Sequence, residues 1–420
     1  MSEPERRTVA VVGSGVSGLT AAYVLGRERD VTLFEADDRF GGHAHTHQVD
    51  EHAVDSGFIV HNDRTYPLLR RLFAELDVEV HPTEMSMSIH CEGCGLEYAG
   101  GRGATGIFAQ RRRLADPRFL RLLTSIKRYQ RLALALLDSE ESADDPQTYD
   151  DFLRRHGFSD HFVAHYAIPV VACVWSSGQD SALAYPARYL FEFLEHHGFL
   201  SISGSPQWFT VRGGSQSYVR RVTAAVGDVR SSTPIRAVSR KPDGVELLDA
   251  HGTVHRADSV VIATHADDAL ALLTDATDDE RRILGAFEYS RNETVLHRDV
   301  TLLPDAEPAR SSWNYRMDDC SRRLDTTAVT YWMNRLQGIE SDEPFVVTLN
   351  STDRIGDGKI VATMQYTHPI YTTASVAAQR ELTSLSNGRT AYAGAYHGWG
   401  FHEDGCRSGV QAAASLGVDW

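Results

Sequence analysis

An apolar strand, a glycine turn and a helix open this chain in that order, and few folds accommodate them. Val9 to Val12 is an unbroken apolar run, the pattern of a parallel strand covered on both faces. Gly13, Gly15 and Gly18 follow in G-x-G-x-x-G spacing ahead of a helix-like run. The first glycine permits the tight turn, the second lets a pyrophosphate approach the main chain, and the third lets helix and strand pack closely. A helix starting here points free N–H groups and its positive dipole end at phosphates. A second strand, VTLFEA, ends in Glu35, 22 positions after Gly13, where an acid accepts hydrogen bonds from ribose hydroxyls. Together these predict a Rossmann-type unit gripping a dinucleotide. NAD and FAD share the ADP half, so the fingerprint does not choose between them.

With 420 residues, 42% hydrophobic and 24% charged, the chain can bury a sizeable core, either as two or three domains or as one large α/β body with an insertion. A net charge of -15 argues against nucleic acid as a partner, since phosphate binding needs a basic surface. Cys91, Cys94, Cys173, Cys320 and Cys406 are odd in number and scattered, which suits a reducing cytosol better than a disulfide framework. The opening MSEPERR lacks the order of a secretory signal, and the run Val9 to Leu25 reads as buried strand and helix rather than a membrane span. A cytoplasmic location is expected, with peripheral contact at the inner face of the membrane as an option considered below.

The stretch RFGGHAHTHQ, Arg39 to Gln48, sets His43, His45 and His47 at alternate positions, which share a face on an extended strand. A metal site would need an acidic or thiolate partner that this stretch lacks, so no metal is expected. Arg39-Phe40-Gly41-Gly42-His43-Ala44-His45-Thr46 instead resembles the R-x-G-G-R-x-x-T/S motif of amine-oxidase-like flavoproteins, which include monoamine and polyamine oxidases and phytoene-type desaturases. The resemblance implies FAD as cofactor, with Arg39, Gly41, Gly42 and Thr46 along its pyrophosphate. His43 replaces the family's second arginine; an imidazole can donate a hydrogen bond but carries no fixed charge.

Further blocks follow in family order. AVDSGFIVHN, with Asp55, Gly57 and His61-Asn62, looks like the strand that reaches the flavin ring edge, and VRGGSQSYV matches a Gly-Gly turn at Gly213-Gly214. The resemblance places Ile235 at the adenine. It also places Gly394-Ala395 and the helix start at Glu403-Asp404-Gly405 near flavin N1 and O2, where main-chain amides stabilise charge. Ala395 stands where the family has an acid, which makes Glu403 or Asp404 a candidate substitute. The implied fold is α/β, amine-oxidase-like: a discontinuous Rossmann-type FAD-binding domain (1–75, 205–285 and 385–420) and a mixed α+β substrate domain (76–204 and 286–384). Asp138 to Gln147, DSEESADDPQ, is the best loop candidate.

Amine oxidation in this family commonly uses a lysine near flavin N5, on a strand soon after the VVIAT-like segment. Here FEYSRNETVLHRDVTLLP holds none, and the chain's lysines are Lys127, Lys241 and Lys359. That favours hydride abstraction from carbon, with the protein positioning the reacting bond. His61, His368 and His397 are candidate proton acceptors, each equally readable as a structural histidine. Trp175, Trp399 and Phe401 read as pocket walls or as core. Cys91-Glu92-Gly93-Cys94 has no second pair at zinc spacing and reads as a hairpin turn.

Nine basic residues, Arg102, Arg111, Arg112, Arg113, Arg118, Arg121, Lys127, Arg128 and Arg131, stand in a stretch whose sole acid is Asp116. This reads either as the solvated back of an amphipathic helix or as a surface for anionic lipid. YAIPVVACVWSS, PARYLFEFLEHHGFL, PQWFTVRGGSQSYV, YWMNRLQ, FVVTLN and YTHPIY resemble a bacterial flavoprotein group related to the N-terminal flavin domain of plant cyclopropane fatty acid synthases. That resemblance implies a lipophilic, acyl-lipid substrate, desaturase-like chemistry on a fatty-acyl chain and an acyl-modifying methyltransferase as a possible partner. The rival readings are a flavin amine oxidase and a non-catalytic flavoprotein partner of such a methyltransferase.

Overall fold

The computed structural model describes residues 6–139, 147–200, 205–321 and 328–420. Its first strand, Thr8–Val12, lies at the centre of a five-stranded parallel sheet ordered Asp228–Arg230, Asp30–Phe34, Thr8–Val12, Ser259–Ile262 and Thr390–Tyr392. Three distant stretches of sequence therefore build one sheet. Alternate residues of the first strand serve opposite cores, as the pleat requires. Val9 and Val11 pack with Leu19, Val219 and Ala413 on the helical side. Ala10 and Val12 pack with Val238, Leu247 and Ile283 on the other, under the antiparallel strands Ile235–Lys241, Gly244–Asp249 and Val254–Ala257.

The C-terminal helix, His402–Ser415, lies along the glycine-turn helix, Val16–Leu25. Gly405 and Gly409 allow the close approach. A Cβ on Gly405 would sit 2.9 Å from Ser17 Oγ, and one on Gly409 would sit 3.0 Å from Ala21 N and from Thr20 Cβ. The packing brings the two helix starts side by side.

A seven-stranded mixed sheet forms the second body, ordered Ile360–Ile370, Glu288–His297, Val346–Leu349, Ala328–Trp332, Trp313–Met317, Met87–Cys91 and Leu96–Gly100. Helices drawn from Pro117 to His196 cover it through a core that includes Tyr129, Phe152, Phe191 and Trp175. The longest helix, Pro117–Leu137, starts on an Asp116 cap that accepts from Arg118 N and Phe119 N. It buries Phe119, Leu122, Tyr129 and Ala133 and turns Arg118, Arg121, Lys127 and Arg131 to solvent. Several of the other basic residues serve the fold. Arg102 donates to the carbonyls of Pro308 and Arg310, Arg112 and Arg113 to that of Gly95, and Arg128 to that of His156. Among the described residues no helix is long and apolar enough to cross a membrane. The loop candidate Asp138 to Gln147 falls mainly outside the described residues.

The histidine-rich stretch departs from expectation. The strand begins only at Thr46 and pairs with His52–Asp55, so His43 and His45 precede it. Gly41 and Gly42, at φ +117° and +56°, turn the chain there and break the alternation.

Replacing Gly409 with valine should force the two helices apart. The expected cost is about 1–3 kcal/mol, as for other overpacked cores, read as a lower midpoint in denaturant unfolding.

Candidate active site

A cavity of about 790 Å³ runs from the glycine turn to the start of the C-terminal helix. At one end it is lined by Gly13, Ser14, Gly15, Glu35, Arg39, Gly42 and Ile235. Gly15 adopts φ −61° and ψ 174°, and a Cβ there would meet no protein atom within 4 Å, so its helix start faces open space. Gly42 closes the opposite wall, where a Cβ would lie 3.1 Å from Gly15 Cα. Glu35 accepts from Ser14 N at 2.9 Å, from Ser14 Oγ and from Asp37 N at 3.0 Å, and Ser14 Oγ accepts from Gly41 N at 3.0 Å. Arg39 donates Nη1–H to Gly42 O at 2.8 Å. The acid and the arginine thus lock the glycine turn to the RFGG stretch.

His43 lies deeper along the cavity, enclosed by the rings of Tyr366 at 4.9 Å and His368 at 5.5 Å. Its Nε2 is buried without a hydrogen-bond partner, and burial holds its pKa well below the ordinary value. His402, first residue of the C-terminal helix, stacks on Phe58 at 3.7 Å and also has an unpartnered Nε2, with burial lowering its pKa to about 3. A helix start open at Gly15 and two orphaned ring nitrogens further along fit a diphosphate-linked, hydrogen-bonding cofactor spanning the cavity. FAD meets that description.

The two other histidines of the stretch are held in a hydrogen-bond network with Tyr366 and Ser56. The rings of His45 and His47 lie 4.1 Å apart at a tilt, His45 Nδ1 lies 2.9 Å from the Tyr366 hydroxyl, and His47 Nε2 lies 2.9 Å from Ser56 Oγ. Ser56 Oγ in turn lies 2.7 Å from the Tyr366 hydroxyl. Burial, with Arg39 and then His47 nearby, lowers His45 to about 3, so this network is neutral at pH 7.

Of the sequence candidates, the cavity wall gathers Gly13, Gly15, Glu35, Arg39, Gly42, His43, Gly57, Ile235, His368, Gly394 and Ala395. The others stand elsewhere. Gly18 lies in the helix interior beside Ala263, and a Cβ on Gly41 would sit 2.6 Å from Ala44 O. Thr46 donates to Asp55 Oδ1, which also accepts from Ser215 N and Oγ. Desolvation raises Asp55 to about 6. Glu403 accepts from Leu68 N and Leu69 N at the start of helix Pro67–Glu75, and its burial raises its pKa to about 7. Asp404 caps its own helix at Phe401 N and pairs with Arg407, and Gly405 packs on Val16. His61 is fully buried among Tyr66, Phe73 and Phe209, with neither ring nitrogen paired and burial lowering it to about 4. His397, beside Tyr396, is half-buried, and desolvation lowers it to about 4.

His368 does reach the cavity. Asn292 donates its amide to His368 Nδ1 at 2.9 Å and accepts from Asn350 Nδ2 at 2.8 Å, which leaves the ring proton on Nε2. Burial lowers His368 to about 4, so it is a neutral N–H donor rather than a base at pH 7.

Ile59, Val60, Tyr66, Val174, Trp175, Phe193, Trp208 and Tyr331 complete the far half, and of these only Trp175 was singled out from the sequence as a wall residue. Trp175 Nε1 donates to Trp399 O at 2.9 Å, and Phe193 stacks on Phe401 at 4.8 Å. Lysine is absent from the wall among the described residues. Its acids are Glu35, Asp37 and Asp268, at the end of strand Asp30–Phe34 and on helix Ala266–Leu272.

Residues 16–289 match the model of the family described as flavin containing amine oxidoreductase. The fold is similar to that of the CLA-producing fatty acid isomerase from P. acnes (TM-score 0.71, 17% identity, all of both chains covered). It is also similar to cyclohexylamine oxidase from Brevibacterium oxydans (TM-score 0.70, 18% identity, 98% of each chain covered). A short segment is 54% identical over 46 residues to tryptophan 2-monooxygenase of Pantoea agglomerans pv. gypsophilae, which is 10% of this chain and 8% of that enzyme.

Gly15→Val tests the cradle. The backbone there is open to any residue and a Cβ meets no protein atom within 4 Å, so the fold should persist, with an unchanged far-UV spectrum. The purified variant should be colourless, having lost flavin affinity by about 100-fold or more if phosphate contact with this turn carries binding.

Proposed function

The chain belongs to the flavin-containing amine oxidoreductase family, and on that premise we propose that it is an FAD-dependent oxidoreductase acting on carbon in a lipophilic, fatty-acyl substrate. The observation that carries this reading is the far half of the cavity, aromatic and aliphatic, with neither lysine nor carboxylate among its residues. An ammonium substrate would be desolvated there without a counter-charge. An acyl chain would gain about 0.8 kcal/mol for each buried CH₂.

Bound FAD supplies the two-electron acceptor. Gly13, Gly15, Arg39, Gly42 and His43 would hold its nucleotide half, and Gly57, Gly394, Ala395 and His402 its other end. The chain's own residues then have three tasks. Trp175, Phe193, Trp208 and Tyr331 bind the apolar chain and exclude water, which strengthens every polar contact inside. His368, fixed by Asn292, donates Nε2–H to an acyl oxygen and so orients the chain. The neutral His45–Tyr366–Ser56–His47 network keeps the neighbouring wall hydrogen-bonded without adding charge. The exposed Arg111, Arg118, Arg121, Lys127 and Arg131 would draw an acyl-lipid surface at about 1 kcal/mol each, supporting peripheral membrane contact.

Anaerobic mixing with candidate substrates tests the reading. Unsaturated or methylated acyl lipids should bleach the flavin, and His368→Phe should weaken the apparent affinity for them by about 10-fold, the worth of one hydrogen bond. Bleaching by amines alone would overturn the reading in favour of an amine oxidase. No bleaching by either, with co-purification of an acyl-modifying methyltransferase, would make the protein that enzyme's non-catalytic partner.

A further inference from the structure

Away from the cavity, four side chains from distant parts of the chain converge. Cys91 and Cys94 flank the turn between the strands Met87–Cys91 and Leu96–Gly100. His165 comes from a π-turn, Val163–Ala167, within a helical run from Asp160 to Trp175. Cys320 follows the strand Trp313–Met317, which runs parallel to Met87–Cys91 with Met317 opposite Cys91. The three sulfurs and one imidazole nitrogen lie within 4.8 Å of one another, and all three cysteines are free thiols.

We propose that Cys91, Cys94, His165 and Cys320 form a Cys₃His site that binds one zinc ion. Three thiols and an imidazole are a structural zinc donor set. A tetrahedral zinc with Zn–S of about 2.3 Å needs ligand atoms about 3.8 Å apart, well inside the observed cluster. The imidazole is already presented as a ligand. His165 Nδ1 lies 2.9 Å from His161 O, which takes the ring N–H and leaves the Nε2 lone pair 3.3 Å from Cys94 Sγ. Metal-bound histidines are oriented by this kind of carbonyl partner. The π-turn supplies the extra residue that aims the ring, a common use of such bulges.

The surroundings fit as well. Gly95 adopts φ +64°, and a Cβ on Gly93 would sit 3.0 Å from Asp318 O and 3.2 Å from Asp319 Cα. The turn is therefore seated tightly on the loop that carries Cys320. Zinc with three thiolates has a net charge of −1. Arg113 and Arg112 donate to Gly95 O at 2.8 and 3.0 Å, which places two guanidinium groups beside the turn. Four protein ligands leave no open position, so the site is a clamp rather than a second catalytic centre. It joins the hairpin, the parallel strand and the helix whose far end puts Val174, Trp175 and Ser176 on the cavity wall.

The full chain, purified without chelator from zinc-supplemented cells, should contain one zinc per chain by mass spectrometry of the metal. X-ray absorption at the zinc edge should show three sulfurs at about 2.3 Å and one nitrogen at about 2.0 Å. Cys320→Ser and His165→Gln should each lose the zinc, while Cys173→Ala and Cys406→Ser keep it. If the ligand variants do not fold, the wild-type metal count and sulfur shell still decide. Wild-type protein without stoichiometric zinc, a zinc shell free of sulfur, or a Cys91–Cys94 disulfide in freshly prepared protein would overturn the proposal.

Discussion

The close packing of two helices on one sheet is the contact on which the rest of this molecule depends. The glycine-turn helix and the C-terminal helix, far apart in sequence, touch through Gly405 and Gly409. Small residues there let two helix starts face one cavity, and each start presents main-chain N–H groups with no partner inside its own helix. A side chain at either glycine would separate the two ends of the site. The cofactor cradle is thus a consequence of helix spacing as much as of the motif residues that line it.

Burial then determines what the histidines can do. Every histidine on the cavity wall is held below its ordinary pKa because an imidazolium there would lose hydration, and at His265 this outweighs the opposite pull of Asp268 and Asp267. The wall's histidines are therefore neutral at physiological pH, and its far half chooses ligands by shape, hydrogen-bond direction and apolar area. His368 illustrates the point: Asn292 decides which of its nitrogens carries the proton. The carboxylates tell a parallel story. Asp55, Glu403 and Asp404 are buried near the cavity but each is bound to main-chain N–H groups that hold the frame together.

The second body shares this division between frame and wall. Its mixed sheet carries Tyr331 of the far half of the cavity and, at one end, the cysteine-rich turn, while Trp175 and Phe193 come from the helices packed on it. The helical run from Asp160 to Trp175 joins the two, with His165 in the cluster and Trp175 on the wall.

Short-range features were legible in the residues alone. The turn at Gly13, Gly15 and Gly18 and the acid at Glu35 each answer a local backbone demand, and local demands leave spacing patterns, whereas the turn at Gly41-Gly42 was not anticipated. What a buried polar side chain bonds to is another matter. Thr46 meets Asp55 and Ser215, Glu403 meets the start of a helix more than three hundred residues earlier, and His61 is enclosed by Phe209. Cys91 and Cys94 lacked a second pair at zinc spacing because their companions, His165 and Cys320, arrive by a helix and by a parallel strand from elsewhere in the chain. The sequence by itself determined the nucleotide-binding unit, which is written in backbone geometry over a few residues, and its resemblance to a flavoprotein family pointed to FAD rather than NAD. Only the tertiary structure decided which side chains face the cavity, which are neutral and which thiols meet, because those depend on neighbours that folding alone brings within a few ångströms.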